Sequence, residues 1–217
     1  MFSTPLLSPD PFPQRPAPLE EACAGGPRDM AATLLFALSR RDEADGRPVL
    51  IAAPRSWFGE HGKPYGPGLG GTAFLMTPTS TPAEALWVLE QALRSGAVAL
   101  ALGAIDGATL AQTRRLEFAA RHGQSTGVLL PRRLDGLSAA RRRWRIAATP
   151  SAGDPFDTKA PGPSRLDVEL VRGRGERPGV WRLEQVDETH RLRLADGLAD
   201  RGAAEGAEGG AAAGLAA

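Results

Sequence analysis

Ala97-Val98-Ala99-Leu100-Ala101-Leu102-Gly103-Ala104-Ile105 is a nearly unbroken apolar run, closed by Gly96 on one side and by Asp106-Gly107 on the other. A run this short and this apolar reads as a strand buried on both faces, as found in the middle of a parallel sheet covered by helices. Amphipathic helical patterns flank it at 82–95 and 108–122. In a nucleotide-hydrolysing α/β domain such a strand would end in an acidic residue that helps hold magnesium. Here it passes through Gly103, and the first acid, Asp106, comes only after the run.

The helix before this strand carries the clearest start signal in the chain. Thr81-Pro82-Ala83-Glu84 supplies a hydroxyl N-cap, a proline at the first helical position and a glutamate at the third. Leu86, Leu89 and Leu93 then face inward, and Gly96 marks the stop. Asp106 is placed to cap the helix 108–122, which ends at Gly123. Thr126-Gly127-Val128-Leu129-Leu130 is a further strand. Upstream, 28–41 reads as a helix striped by Leu34, Leu35 and Leu38, with Arg40-Arg41 in its last turn. Val49–Ala53 lies between Pro48 and Pro54 as a short buried strand, 55–70 reads as a loop, and Ala73-Phe74-Leu75-Met76 as a strand. The order α-β-β-α-β-α-β predicts parallel neighbours.

Beyond 131 the pattern changes. Trp144–Ala148 reads as a strand. Leu166, Val168 and Leu170 alternate with Asp167 and Glu169, a period of two. A turn over 173–179 and the return Val180-Trp181-Arg182-Leu183-Glu184 complete an antiparallel hairpin. The expected organisation is a proline-rich, disordered arm over 1–22, one α/β domain over 23–195, and a disordered Ala/Gly-rich tail over 196–217. The arm takes its character from Pro5, Pro9, Pro11, Pro13, Pro16 and Pro18.

Composition excludes several classes. Net charge is +1 over 217 residues, so any basic site is local. Lys63 and Lys159 are the only lysines among 26 basic residues. With the abundant Ala, Gly and Pro, that choice reflects GC-rich coding before it reflects nucleic-acid binding. Cys23 is the sole cysteine, which rules out an internal disulfide and a multi-cysteine zinc site. His61, His122 and His190 lack metal-ligand spacing, so no metal is expected. No apolar run approaches the roughly 20 residues a bilayer span needs, and 1–20 is not a secretory signal. A soluble cytoplasmic protein without membrane contact is expected.

Two stretches bear on chemistry. A phosphate-binding loop, G-x4-G-K-[ST], uses glycines to wrap phosphates and a lysine to reach their oxygens. Laid from Gly26, it places Ala31 at the second glycine, Ala32 at the lysine and Thr33 at the hydroxyl. Arg28-Asp29 adds a carboxylate where phosphates would sit. The site reads as degenerate, with no catalytic residue and no cofactor. The second stretch is basic: Arg132, Arg133, Arg141, Arg142, Arg143 and Arg145, opposed only by Asp135. Arginine forks suit phosphate oxygens, and Trp144 would offer a stacking surface. A solvated basic face with Trp144 buried in a strand, or an acidic protein partner, explains the same residues. Trp57, Phe58 and Tyr65 either cover one end of the sheet or mark an interface.

Lys63-Pro64-Tyr65-Gly66-Pro67-Gly68-Leu69, followed by Ala85-Leu86-Trp87-Val88-Leu89-Glu90-Gln91-Ala92-Leu93-Arg94-Ser95-Gly96, resembles the ImuA family of bacterial mutagenesis proteins. Thr113-Arg114-Arg115-Leu116 with Ala119-Ala120, Thr126–Leu130, Val168–Arg172 and Pro178-Gly179 extend the resemblance in order over roughly 25–185. It implies a RecA-like core, related also to the division inhibitor SulA, with Val168–Arg172 and Trp181–Glu184 as the last core strands. By the same resemblance 131–143 stands where RecA contacts single-stranded DNA, without that loop's glycines. The implied function is that of a non-catalytic accessory protein in SOS-induced translesion synthesis. Its partners would be an ImuB-like protein, an error-prone DnaE-type polymerase, RecA and single-stranded DNA, with the segment 186–194 a candidate partner-binding element. A SulA-like division inhibitor and a RecA-type ATPase with an unusual phosphate loop are the alternatives.

Overall fold

The computed structural model describes residues 7–42, 44–65, 72–151, 153–154, 157, 159–186 and 192–195. In chain order the elements are β1 (Leu19–Ala24), α1 (Met30–Leu38), β2 (Val49–Pro54), α2 (Arg55–His61), β3 (Phe74–Thr79), α3 (Pro82–Ser95) and β4 (Leu100–Gly103). There follow α4 (Leu110–His122), β5 (Thr126–Leu129), β6 (Arg142–Thr149), β7 (Arg165–Gly173), β8 (Gly179–Gln185) and β9 (Leu192–Leu194). The described strands form one nine-stranded sheet in the order β3-β2-β4-β5-β1-β6-β7-β8-β9. From β3 to β6 every neighbour is parallel; from β6 to β9 every neighbour is antiparallel. This is the expected α/β fold with an antiparallel C-terminal hairpin, enlarged by β1 inside the sheet and β9 at its edge.

The apolar run 97–105 contributes β4, paired with β2 and β5. Its side chains alternate between two cores, as a strand buried on both faces requires. Leu100 and Leu102 join Phe36, Val49, Ile51 and Trp144 on the α1 side. Val98, Ala101 and Ile105 join Leu89, Leu93 and Leu116 on the α3–α4 side. Gly103 is required here: a Cβ would lie 2.3 Å from Leu89 Cδ1.

α3 begins and ends where its signals place it. The Thr81 side chain accepts from the Glu84 amide at 3.1 Å, and Gly96 adopts φ 67°, the left-handed conformation that closes a helix. The start of α4 differs from expectation. Thr109 rather than Asp106 is the N-cap, in a reciprocal capping box with Gln112. Asp106 instead accepts from the Arg132 amide at 2.6 Å.

The expected disordered arm over 1–22 is corrected for its described residues. Leu19–Ala24 is the strand β1, between β5 and β6, and Leu19, Glu20 and Ala22 have no exposed surface. The preceding residues lie on the α1 face: the Ser8 amide donates to Val180 O, Trp181 Nε1 donates to Asp10 O, and Phe12 is buried between Trp144 and Trp181. Residues 1–6 and the expected tail 196–217 lie outside the described residues. So do 187–191 of the segment 186–194, while Leu192–Leu194 forms β9 on β8.

Two further corrections concern helices. α1 stops at Leu38, so Arg40 falls beyond it and is buried, 1% exposed, in place of capping a helix end. Part of the expected loop 55–70 is the helix α2, with Trp57 buried in the core and Phe58 edge-on to it at 5.4 Å. Tyr65, by contrast, is exposed.

Candidate functional site

Ligands of open α/β sheets bind outside the carboxyl ends of parallel strands. At that edge the loop joining β1 to α1, Gly25-Gly26-Pro27-Arg28-Asp29, holds the position of a phosphate loop. Its concavity is filled by its own chain. Asp29 Oδ1 accepts from the Ala148 amide at 3.0 Å. Its other oxygen lies 3.3 Å from where a Cβ on Gly25 would stand and 3.4 Å from one on Gly26. A fixed carboxylate over this loop repels phosphate oxygens. Thr33, the would-be magnesium hydroxyl, is fully buried and donates to Asp29 O at 2.8 Å. Ala32, at the lysine position, packs against the core, and Ala31 is exposed.

The opposite half of the site is equally committed. Beyond β4 the chain runs on through the buried Ala104 and Ile105 before reaching Asp106. Asp106 pairs with Arg132 at 3.4 Å, and Arg132 also lies 3.8 Å from Glu60 at the end of α2. His61 stands edge-on to Trp57 at 5.0 Å and 3.9 Å from Glu60. Cys23 is buried beside this cluster and donates to Arg132 O at 3.1 Å. Burial pushes its thiol above the usual value, against the pull of Arg145 and Arg143, so the reactive thiolate is disfavoured. Among the described residues no group of three or more His, Cys, Asp or Glu is placed to hold a metal ion.

The six arginines expected to form one basic face are divided by the structure. Arg132 and Arg133 are exposed, their side chains 78% and 83% accessible. Arg141 is half-buried. Arg145 pairs with Glu169 across the β6–β7 ladder at 2.7 Å. Arg142 and Arg143 are interior groups. Arg142 reaches Glu20 at 3.0 Å and Glu176 at 2.6 Å on one face of the sheet. Arg143 reaches Glu21 at 2.7 Å and the carbonyls of Asp135 and Gly136 at 3.1 Å on the other. Trp144 is fully buried, and its indole N–H donates to Glu20 Oε2 at 2.9 Å, so it offers no surface to a base.

Sequence reasoning misses the acids that take up these arginines. Glu20 has no exposed surface and binds Arg40, Arg142, Trp144 and the Ala17 amide. The only signal for it is an acid pair inside an otherwise apolar six-residue segment, Leu19–Ala24. Outside this edge, the outer surface of α1 (Ala31, Leu34, Leu35, Leu38) and the segment from His61 to Tyr65 bound an apolar groove of about 370 Å³. Lys63 lines that groove rather than the β1–α1 loop.

No protein-family model matches the chain. It is 34% identical over 203 residues to Protein ImuA of Caulobacter vibrioides, covering 85% of this chain and 79% of the relative, with the same figures in two strains of that species. Among solved structures it is similar to SulA from Pseudomonas aeruginosa. That similarity has a TM-score of 0.42 at 23% identity and covers 54% of this chain and 98% of the other.

Proposed function

The chain belongs to the ImuA family, and from that membership we propose that it is a non-catalytic accessory protein of damage-induced mutagenesis. In this reading it bridges an ImuB-like protein and an error-prone DnaE-type polymerase during translesion synthesis, with RecA and single-stranded DNA as further contacts. The sheet is read as a degenerate RecA-like core. β7 and β8, which carry Val168–Arg172 and Trp181–Glu184, run antiparallel beside the parallel strands.

One observation carries the non-catalytic reading: the Asp29 carboxylate is hydrogen-bonded to Ala148 N and lies over Gly25-Gly26. Ala32 in the place of a lysine, and Gly103 where an acid would end β4, support it. A scaffold that retains the apolar core while its phosphate site is closed serves binding better than turnover. For DNA contact, Arg132 and Arg133 are the most exposed members of the basic segment and Arg145 is committed to Glu169, whereas Arg142 and Arg143 are withdrawn into the interior.

Affinity purification of the full chain from DNA-damaged cells tests the reading. Recovery of an ImuB-like protein together with polymerase subunits is the expected result. Recovery of the tubulin-like division protein without any polymerase subunit would replace it with the SulA-like alternative.

A further inference from the structure

A pocket of about 450 Å³ lies on the α4 side of the sheet, remote from the closed phosphate loop. One wall is the face of α4 that carries Arg114, Glu117 and Phe118. The opposite wall is Arg172 and Arg174 at the end of β7, and Leu137 stands at the side. Two properties coincide at this pocket. Phe118 and Leu137 are large apolar side chains left 70% and 68% exposed. Arg114 and Arg172 have no carboxylate partner among the described residues, while their neighbours Arg115 and Arg121 are paired with Glu90 and Glu117.

Arg174 is held in place rather than free. It donates to Ala139 O at 3.2 Å and stands 3.7 Å from Glu117, which is shared with Arg121. The pocket thus presents a preset guanidinium, two uncommitted ones and two apolar contacts within one concavity. Interfaces are anchored by aromatic and arginine groups in such an arrangement, with charge complementarity choosing the partner.

We propose that this pocket docks an acidic segment of a partner protein, with an apolar side chain of that segment seated against Phe118 and Leu137 and its carboxylates on Arg114 and Arg172. A nucleic-acid strand fits less well. Its phosphates need cations spaced along a track with successive stacking surfaces, whereas these arginines converge on one pocket that includes the Glu117 carboxylate. The inference rests on the accessory-protein reading and adds the chemistry of one contact to it.

The test uses the purified full chain. Random dodecapeptides displayed on phage are selected on it and counter-screened on the double variant Arg114→Glu/Arg172→Glu. Neither side chain has a carboxylate partner among the described residues, so thermal melting of the variant should match that of the parent. The expected result is enrichment of peptides with Asp or Glu beside Leu or an aromatic residue. Synthetic labelled copies should lose about tenfold or more in affinity on the double variant and on Phe118→Ala. Enriched peptides without an acidic excess, or with equal affinity for the variants, would overturn the proposal. So would labelled oligo(dT) binding that falls on the double variant while no acidic peptide is selected. Because no cellular partner enters the assay, its failure leaves the purification experiment standing, and a failure there leaves this result standing.

Discussion

Arg40 clasps Glu20 across the interior: its Nε lies 3.1 Å from Oε2 and an Nη 3.1 Å from Oε1, with both side chains at or below 1% exposure. The same guanidinium donates to the carbonyls of Pro13, Gln14 and Arg15, and lies 5.6–5.9 Å from the ring centroids of Phe12, Phe36 and Trp144. Arg142 completes the arrangement from β6, so one carboxylate answers two arginines and an indole. A buried charge that keeps its hydrogen bonds is tolerated; one that loses its partner is costly.

Arg40→Ala is therefore expected to destabilise the protein by about 3–5 kcal/mol, read as a lower urea midpoint. Glu20→Gln, which leaves two guanidinia short of their shared charge, should fall in the same range. A loss below about 1 kcal/mol in both would show that the network contributes no more than a surface pair.

The arginine segment should divide under mutation as it does in space. Arg143→Ala removes the partner of the buried Glu21 and is expected to cost about 3–5 kcal/mol. The Arg132→Ala/Arg133→Ala pair should shift stability by no more than about 0.5 kcal/mol. Only the latter pair gives a clean reading of DNA contact. If these side chains touch phosphates, the salt dependence of single-stranded DNA binding should flatten by about 0.7 for each phosphate left without its arginine.

Acid should weaken the β6–turn contact by protonating Glu176. The hydrogen bond from Arg142 holds the Glu176 carboxyl below its ordinary 4.5, outweighing its partial burial. A depressed folded-state pKa gives stability that is complete above the unfolded value and disappears as pH falls through the folded one. The difference in urea midpoint between the parent and Glu176→Gln should therefore be constant near neutrality. It should shrink below about pH 4.5. A difference that grows on acidification would contradict the pairing.

Gly123 marks where α3 and α4 end against each other. A Cβ there would lie 1.9 Å from Leu93 O and 2.8 Å from the Gly96 amide, both backbone atoms that cannot rotate away. Gly123→Ala is expected to cost about 2 kcal/mol or more, measured by thermal unfolding. Gly107→Ala has open space and only the strain of φ 68°, and should cost about 1 kcal/mol.

Magnesium-ATP should leave the melting temperature unmoved. A ligand at a hundred times its Kd adds about 2.7 kcal/mol to stability. A rise of that size, abolished by removing magnesium, would reopen the ATPase alternative.

What can be read in the sequence, and what cannot, follows from the range of the interactions. α3 is legible because its cap, proline and closing glycine act within a turn of the helix. The run 97–105 is legible because a strand buried on both faces needs no partner to announce itself. β1 is hidden by Pro16, Pro18 and the pair Glu20-Glu21, which look like surface until arginines from after α1 and from β6 are brought to them. The same arginines look like a nucleic-acid face for want of those acids. Degeneracy of the phosphate loop is visible in Ala31 and Ala32, but the bond from Ala148 to Asp29 is not, since it requires β6 to lie beside β1. The pocket at Phe118 unites α4 with the end of β7 and leaves no local trace.

The placement of β1 also governs how the chain comes together in time. Its neighbours β5 and β6 lie far downstream; the contact between Arg142 and Glu20 spans 122 residues. The strand is made well before either neighbour exists, so Leu19, Ala22 and Glu21 wait for their partners until synthesis has passed Thr149, with Arg40 alone within early reach of Glu20. Closing so long a loop is slow, and contacts of this separation delay folding relative to local ones. β2, β4 and α3 can assemble first, and insertion of β1 between β5 and β6 is then the late step that brings Glu20 and Glu21 to their arginines.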